Sequence, residues 1–134
     1  MKKLLLLIGI TTFAFSNEVI DKYLKELEAQ VKAQEPDFKG FSAKRGKEIF
    51  FSTHIGKRGK EISCASCHTK DLTKPGENIF TGKKIEPLSP KVNPKRLTDL
   101  KKVKKWLRRN FKDVYKRDGT PKEKGDVLMF ILEN

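Results

Sequence analysis

Cys64-Ala65-Ser66-Cys67-His68 is the run in this chain whose residue types and spacing most directly imply chemistry. Two thiols separated by two residues, with a histidine directly after, form the attachment signature of c-type haem. The thiols add across the haem vinyl groups as thioethers, and the imidazole reaches the iron from one face. Other uses of the motif fit less well. A zinc site takes three or four protein ligands, which would consume nearly all of the Cys and His in a chain whose only other histidine is His54. A thioredoxin-like redox pair follows a strand in a βαβ pattern, and no such pattern surrounds this run. A disulfide across two intervening residues closes a strained, tiny loop of little stabilising value. The expectation is one covalently bound haem c per chain, attached through Cys64 and Cys67, with His68 as the proximal iron ligand.

The sixth iron position is harder to fill. A Met or His usually closes it, yet the chain has only Met1 and Met129, and residues 69 to 128 contain no Met. His54 lies ten residues before Cys64, so it can reach the haem edge more readily than the distal face; an exposed loop histidine is the plainer reading. Met129 sits among Val127, Leu128, Phe130 and Ile131, where it reads as a flexible core filler. A lysine must first lose a proton to ligate. Asn110 stands out on the helical stripe Leu100, Val103, Trp106, Leu107, Asn110, which is expected to face the core or the haem. An amide there needs hydrogen-bond partners or costs stability. It is either an iron ligand or a residue capping a helix C-terminus, and the pattern leaves both open. Trp106 likewise packs on the haem or simply in the core.

These residues need elements to hold them. Lys2, Lys3, the apolar run Leu4 to Phe15 and the small-x-small Ala14-Phe15-Ser16 read as a cleavable secretory signal over residues 1–16, too short to span a bilayer. Export to the periplasm agrees with haem attachment outside the cytoplasm. Residues 17–40 read as an N-terminal amphipathic helix and linker, with Val19, Ile20, Tyr23, Leu24, Leu27 and Val31 at helical spacing. Residues 41–134 read as the haem domain. Within it, Ser42 caps a helix to about Ser52, with Ala43, Gly46 and Phe50 on one face, and residues 53 to 63 form a loop. Pro75, Pro87, Pro90 and Pro94 keep 69–94 a loop that wraps the haem. A helix is expected from Leu97 to about Phe111. A last helix begins at the capping box Thr120-Pro121-Lys122-Glu123. No strand pattern is evident, so the expected fold is all-α.

The formal charge is +13, or +11 once Lys2 and Lys3 are removed. An exported protein does not meet nucleic acid, so none is expected as a partner. The charge fits steering toward an acidic redox partner or an anionic membrane face, or a plain solubilising surface.

The order helix, haem motif, Pro-rich loop, helix, C-terminal helix resembles the small class I cytochrome c fold, with Gly46 and Phe50 where that family crosses its first and last helices. The segments Thr81-Gly82-Lys83-Lys84-Ile85-Glu86-Pro87-Leu88-Ser89-Pro90, Lys105-Trp106-Leu107-Arg108-Arg109-Asn110 and Arg117-Asp118-Gly119-Thr120-Pro121-Lys122-Glu123-Lys124 further resemble the sphaeroides haem protein group of class I-like monohaem cytochromes. That resemblance covers roughly residues 40 to 132. It implies an Asn in the Trp-Leu-x-Arg-Asn helix as a weak distal ligand, here Asn110. It implies that this ligand leaves on reduction and opens a site for oxygen, nitric oxide or similar molecules, and that a dihaem cytochrome c donates electrons. It also implies a disulfide closing the loop after that Asn; this chain has Phe111 and Gly119 at those places. The expected roles are electron transfer and binding of a diatomic ligand, by a monomer. A small haem redox enzyme ranks below these, because no acid–base pair is evident beside the distal face.

Overall fold

The computed structural model of this chain describes residues 17–134, so the secretory-signal reading of 1–16 lies outside it. Helix α1 (Glu18–Lys32) buries Ile20, Tyr23, Leu27 and Val31. Spacings of three and four keep these on one stripe. The Asn17 side chain accepts from the Val19 N–H at 3.1 Å, and its amide donates to the Leu97 carbonyl at 2.6 Å. One residue thus caps α1 and ties it to the segment before α4.

Helices α2 (Ala43–Phe51) and α5 (Pro121–Glu133) cross at the centre of the protein. Gly46 makes the crossing possible: a Cβ there would run into the Asp126 carbonyl and come within 2.9 Å of the Phe130 Cβ. One turn on, Phe50 packs on Phe130 with ring centroids 5.3 Å apart. Asp126 is 2% exposed. It accepts hydrogen bonds from the Ser42 N–H at 2.8 Å and from the Arg45 guanidinium at 2.8 and 3.0 Å. A buried carboxylate is tolerable only when its oxygens are satisfied in this way. Thr120 and Glu123 form the expected capping box, each side chain accepting from the other's backbone N–H.

Helix α4 (Leu100–Tyr115) is capped by Asp99, which accepts from the Lys102 N–H at 3.1 Å. It starts three residues later than expected and runs four residues further, stopping where Lys116 adopts φ 58°. Val103, Phe111 and Val114 are buried along it, with Leu100 and Leu107 packed beside them. Val114 and Tyr115 continue the apolar periodicity past Phe111, so burial carries the helix on.

Between α2 and α4 the chain is mostly loop, as the prolines require, but two small hairpins depart from the strandless expectation. Strand β1 (His54–Ile55) pairs antiparallel with β2 (Glu61–Ile62), and β3 (Gly76–Glu77) with β4 (Lys84–Ile85). Two-residue strands carry no alternation that could mark them in a sequence. The Pro-rich stretch is anchored by fully buried Ser89. Its backbone N–H donates to the Leu72 carbonyl at 2.9 Å, and its hydroxyl to the Asn134 carbonyl at 2.7 Å. The loop therefore closes over the end of α5. The architecture is all-α in the sense expected.

Candidate functional site

Helix α3 (Ala65–His68) is a single turn, and that brevity organises the Cys-x-x-Cys-His run. Cys64 is its N-cap residue and Cys67 stands three residues on, which in a helix places the two side chains on one face. Both thiols are free. Burial pushes the Cys64 thiol up to about 12, with the Cys67 thiol adding to the effect. The Cys64 thiol is therefore neutral at ordinary pH. His68 follows on the same turn and faces Phe50, 6.1 Å away between ring centroids. Burial, and then the positive charge of Arg96, hold its imidazole down at about 4. A neutral imidazole is the form that ligates a metal.

Arg96 is itself fixed. Its guanidinium donates to the Pro87 carbonyl at 2.9 Å and the Glu86 carbonyl at 2.6 Å, and Asn93 also donates to Pro87 at 3.2 Å. The Pro87 carbonyl is thus occupied by these donors, and among the described residues the His68 ring makes no hydrogen bond to it or to Pro75.

Cys64 and Ala65 pack in one apolar cluster with Leu107, Phe111 and Tyr115 of α4 and with Phe50, Leu72 and Phe130. Helix α4 therefore comes to the motif, and Asn110 lies between Leu107 and Phe111 on it. Asn110 is half-buried, five residues before the helix ends. That position corrects the C-terminal capping alternative: Lys116, in the left-handed conformation, performs the capping. The Asn110 side chain makes no hydrogen bond within the described residues. It is a polar group held on a packed helix with no protein partner.

Trp106 is 48% exposed, so the core-tryptophan reading does not hold. Its ring carries Lys105 Nζ at 5.5 Å and Arg109 Cζ at 5.2 Å from the centroid. His54 is not the exposed loop histidine expected. It is half-buried, its ring 4.1 Å from Tyr115, and its Nε2 lies 2.9 Å from Ser52 Oγ. The Tyr115 hydroxyl donates to the Ile49 carbonyl at 2.7 Å. Burial, then the nearby Cys64, push it up to about 12. Tyr115 escaped the sequence reading, although its position four after Phe111 was a usable signal. Met129 is partly buried between Leu128 and Phe130, in keeping with a packing role.

Phe111 and Gly119 do meet. A Cβ at Gly119 would come within 2.7 Å of the Phe111 ring, so the ring packs on the glycine and closes the 112–118 segment.

The residues present fit a c-type haem. Two free thiols share one turn, a neutral imidazole follows, an apolar cluster packs against Cys64, and an amide with no partner among the described residues sits on the adjoining helix. Among the described residues, no group of three or more His, Cys, Asp or Glu side chains is arranged to hold a bare metal ion.

A family described as a domain of unknown function (DUF1924) matches residues 36–131. The fold and the motif define a small monohaem c-type cytochrome, and the chain belongs to that family, whose cofactor is haem c with its iron. Within it, the chain is 45% identical over 89 residues to the cytochrome c-type protein SHP of Cereibacter sphaeroides, covering 66% of this chain and 68% of that protein. It is 39% identical over 97 residues to cytochrome c'' of Methylophilus methylotrophus, covering 72% and 67%. The crystal structure of oxidised cytochrome c'' superposes with a TM-score of 0.77 at 33% identity, over 87% of this chain and 95% of that one. Oxidised SHP, described as an oxygen-binding cytochrome c, gives 0.69 at 39% identity, over 83% and 96%. A solution structure of cytochrome c'', concerned with haem-ligand detachment, gives 0.74 at 34% identity, over 85% and 92%.

Proposed function

We propose that this chain is an exported, periplasmic electron-transfer cytochrome whose sixth iron position is closed by a weak, displaceable side chain, Asn110. Cys64 and Cys67 would hold one haem through thioethers and His68 would be the proximal ligand. When bound, the haem supplies one-electron transfer and a site for a small diatomic molecule such as oxygen or nitric oxide.

The protein's own contribution is positioning. Helix α3 presents two attachment thiols and one ligating imidazole from one turn. Burial keeps the Cys64 thiol and the His68 imidazole uncharged. Arg96 ties the loop beneath the motif to the segment before α4. Helix α4 carries Asn110 on a packed stripe while leaving its amide without a partner among the described residues, and that is the observation on which the reading rests. An amide is a neutral donor, without the thioether softness that raises the potential in His/Met cytochromes. A weak bond of this kind yields to a competing ligand more readily than a thioether or imidazole. The relatives support the reading, since one is an oxygen-binding cytochrome c and the other has been studied for haem-ligand detachment. Among the described residues no helix is long and apolar enough to cross a membrane.

Absorption spectra of the purified holoprotein, oxidised and reduced, with and without carbon monoxide, test the proposal for wild type and Asn110→Ala. The expected result is a reduced wild type that binds carbon monoxide, together with a changed oxidised spectrum in the variant. A wild type that is low-spin in both states, ignores carbon monoxide and has a spectrum unmoved by the substitution would overturn it. His54 would then be the first alternative ligand, and the protein a simple six-coordinate electron carrier.

A further inference from the structure

The exposed side of α4 carries a concentration of positive charge. Lys101, Lys105, Arg108 and Lys112 follow one another at spacings of four, three and four, which makes them one stripe. It lies away from the buried stripe of Val103, Phe111 and Val114. All four are exposed, and none has a carboxylate partner among the described residues. Arg109 is likewise unpaired and lies over Trp106. Like charges three and four apart oppose the helix. Lys101 and Lys102 moreover occupy the first turn, which contains no acid and where the helix dipole disfavours cations. The arrangement works against the folded state of the isolated protein, so solubility alone does not account for it.

The stripe also has a shape. Lys101, Lys104, Lys105 and Arg108 form one wall of a cleft of about 530 Å³, with Gln30 of α1 and Lys124 of α5 across it. Lys104 and Lys124 are paired there, with Glu26 at 3.2 Å and Asp118 at 3.1 Å. The other three cations face the cleft without acids of their own.

We propose that this face of α4, with Trp106 at its edge, is the docking surface for an acidic redox protein whose protruding carboxylates enter the cleft. The proposal rests on the electron-transfer reading above. Charge complementarity favours an acidic occupant. A membrane fits less well, because the apolar side of α4 is consumed in the core and a flat lipid surface does not fill a concave site. Trp106 supplies an aromatic anchor of the kind that concentrates binding energy at interfaces. A partner seated here rests on the same helix that carries Asn110.

The test is stopped-flow reduction of the oxidised holoprotein by a reduced acidic flavodoxin, with a neutral hydroquinone as a small-molecule control donor. The variant is Lys101→Glu/Lys105→Glu/Arg108→Glu. Its charge-matched control is Lys44→Glu/Lys47→Glu/Lys74→Glu, at exposed sites on α2 and the loop after the motif. The expected result is a fall of roughly tenfold or more in the flavodoxin rate for the α4 variant at low ionic strength, converging on wild type at high salt. The control loses less than about twofold, and the hydroquinone rate is unchanged in both. Equal slowing of both variants, or none, overturns the proposal. So does binding of wild type, but not the α4 variant, to phosphatidylserine vesicles while the flavodoxin rate is unaffected. Should the reversals disturb folding, Lys101→Gln/Lys105→Gln/Arg108→Gln, expected to show a smaller salt-dependent fall, replaces them. Failure of the carbon monoxide experiment leaves these rates interpretable, because they report electron arrival and not the sixth ligand.

Discussion

The α2–α5 crossing and helix α4 solve opposite problems. At the crossing nothing is left over. Gly46 lets two backbones touch, Phe50 and Phe130 fill the next layer, and buried Asp126 has a donor for every demand. On α4 much is left over. Among the described residues, an amide on the site side has no partner, an indole is half exposed, and five cations on the outer side lack acids. The difference teaches that the support of this site was built for rigidity, whereas the helix that completes it keeps its interactions available for something else. Substitutions at the crossing are therefore expected to cost stability, and substitutions on α4 to change spectra and rates.

The comparison can be broken first at Gly46. A methyl group there has no room against the Asp126 carbonyl, so Gly46→Ala is expected to lose about 3 kcal/mol or more, or to fail to assemble. Urea denaturation of the holoprotein reads it, and a variant as stable as wild type would mean that the helices cross differently. Asp126→Ala comes next. It removes the acceptor of three hydrogen bonds, one of them from a backbone N–H, for an expected loss of about 2 kcal/mol. The figure is held down because the Arg45 side chain is 44% exposed.

Asn110→Ala sharpens the other half. Leaving no buried partner unsatisfied, it is expected to change stability by less than about 0.5 kcal/mol while altering the oxidised spectrum. A large loss of stability with an unchanged spectrum would reverse the contrast between the two regions. The smallest effect concerns Tyr115. Its hydroxyl is held up at about 12 by burial, against an ordinary value of 10.0. The unfolded chain therefore loses this proton first as pH rises. The contribution to stability is fully present below pH 10 and is lost as pH climbs toward 12. Ultraviolet titration near 295 nm checks this: Tyr115→Phe is expected to remove the component that ionises latest.

What could be read in advance follows the physics of each element. The capping box at Thr120 and the crossing pair Gly46 and Phe50 were legible because each is a local pattern with one structural meaning. The extent of α4 was not. Nothing between Phe111 and Tyr115 breaks a helix, and Val114 continues its buried stripe, but the end depends on Lys116 entering the left-handed region. The hairpins at His54 and Gly76 are too short to alternate. The surroundings of His54 depended on where α4 ended, since its stacking partner Tyr115 is that helix's last residue. Asp126 was invisible as an anchor, because its donors lie more than eighty residues away in the chain.

The packing of Phe111 on Gly119 bears on how the protein is made. That loop is closed by an aromatic ring and not by a second pair of cysteines, and Cys64 and Cys67 are the two thiols in this sequence. A chain with four thiols can pair in three ways, and two of those would trap the haem-binding pair in the wrong bond. With two thiols there is one possible intramolecular pairing, and reducing it always restores the substrate for haem attachment. If Cys64 and Cys67 carry the proposed haem, attaching it needs a reductant but no sorting among alternative disulfides.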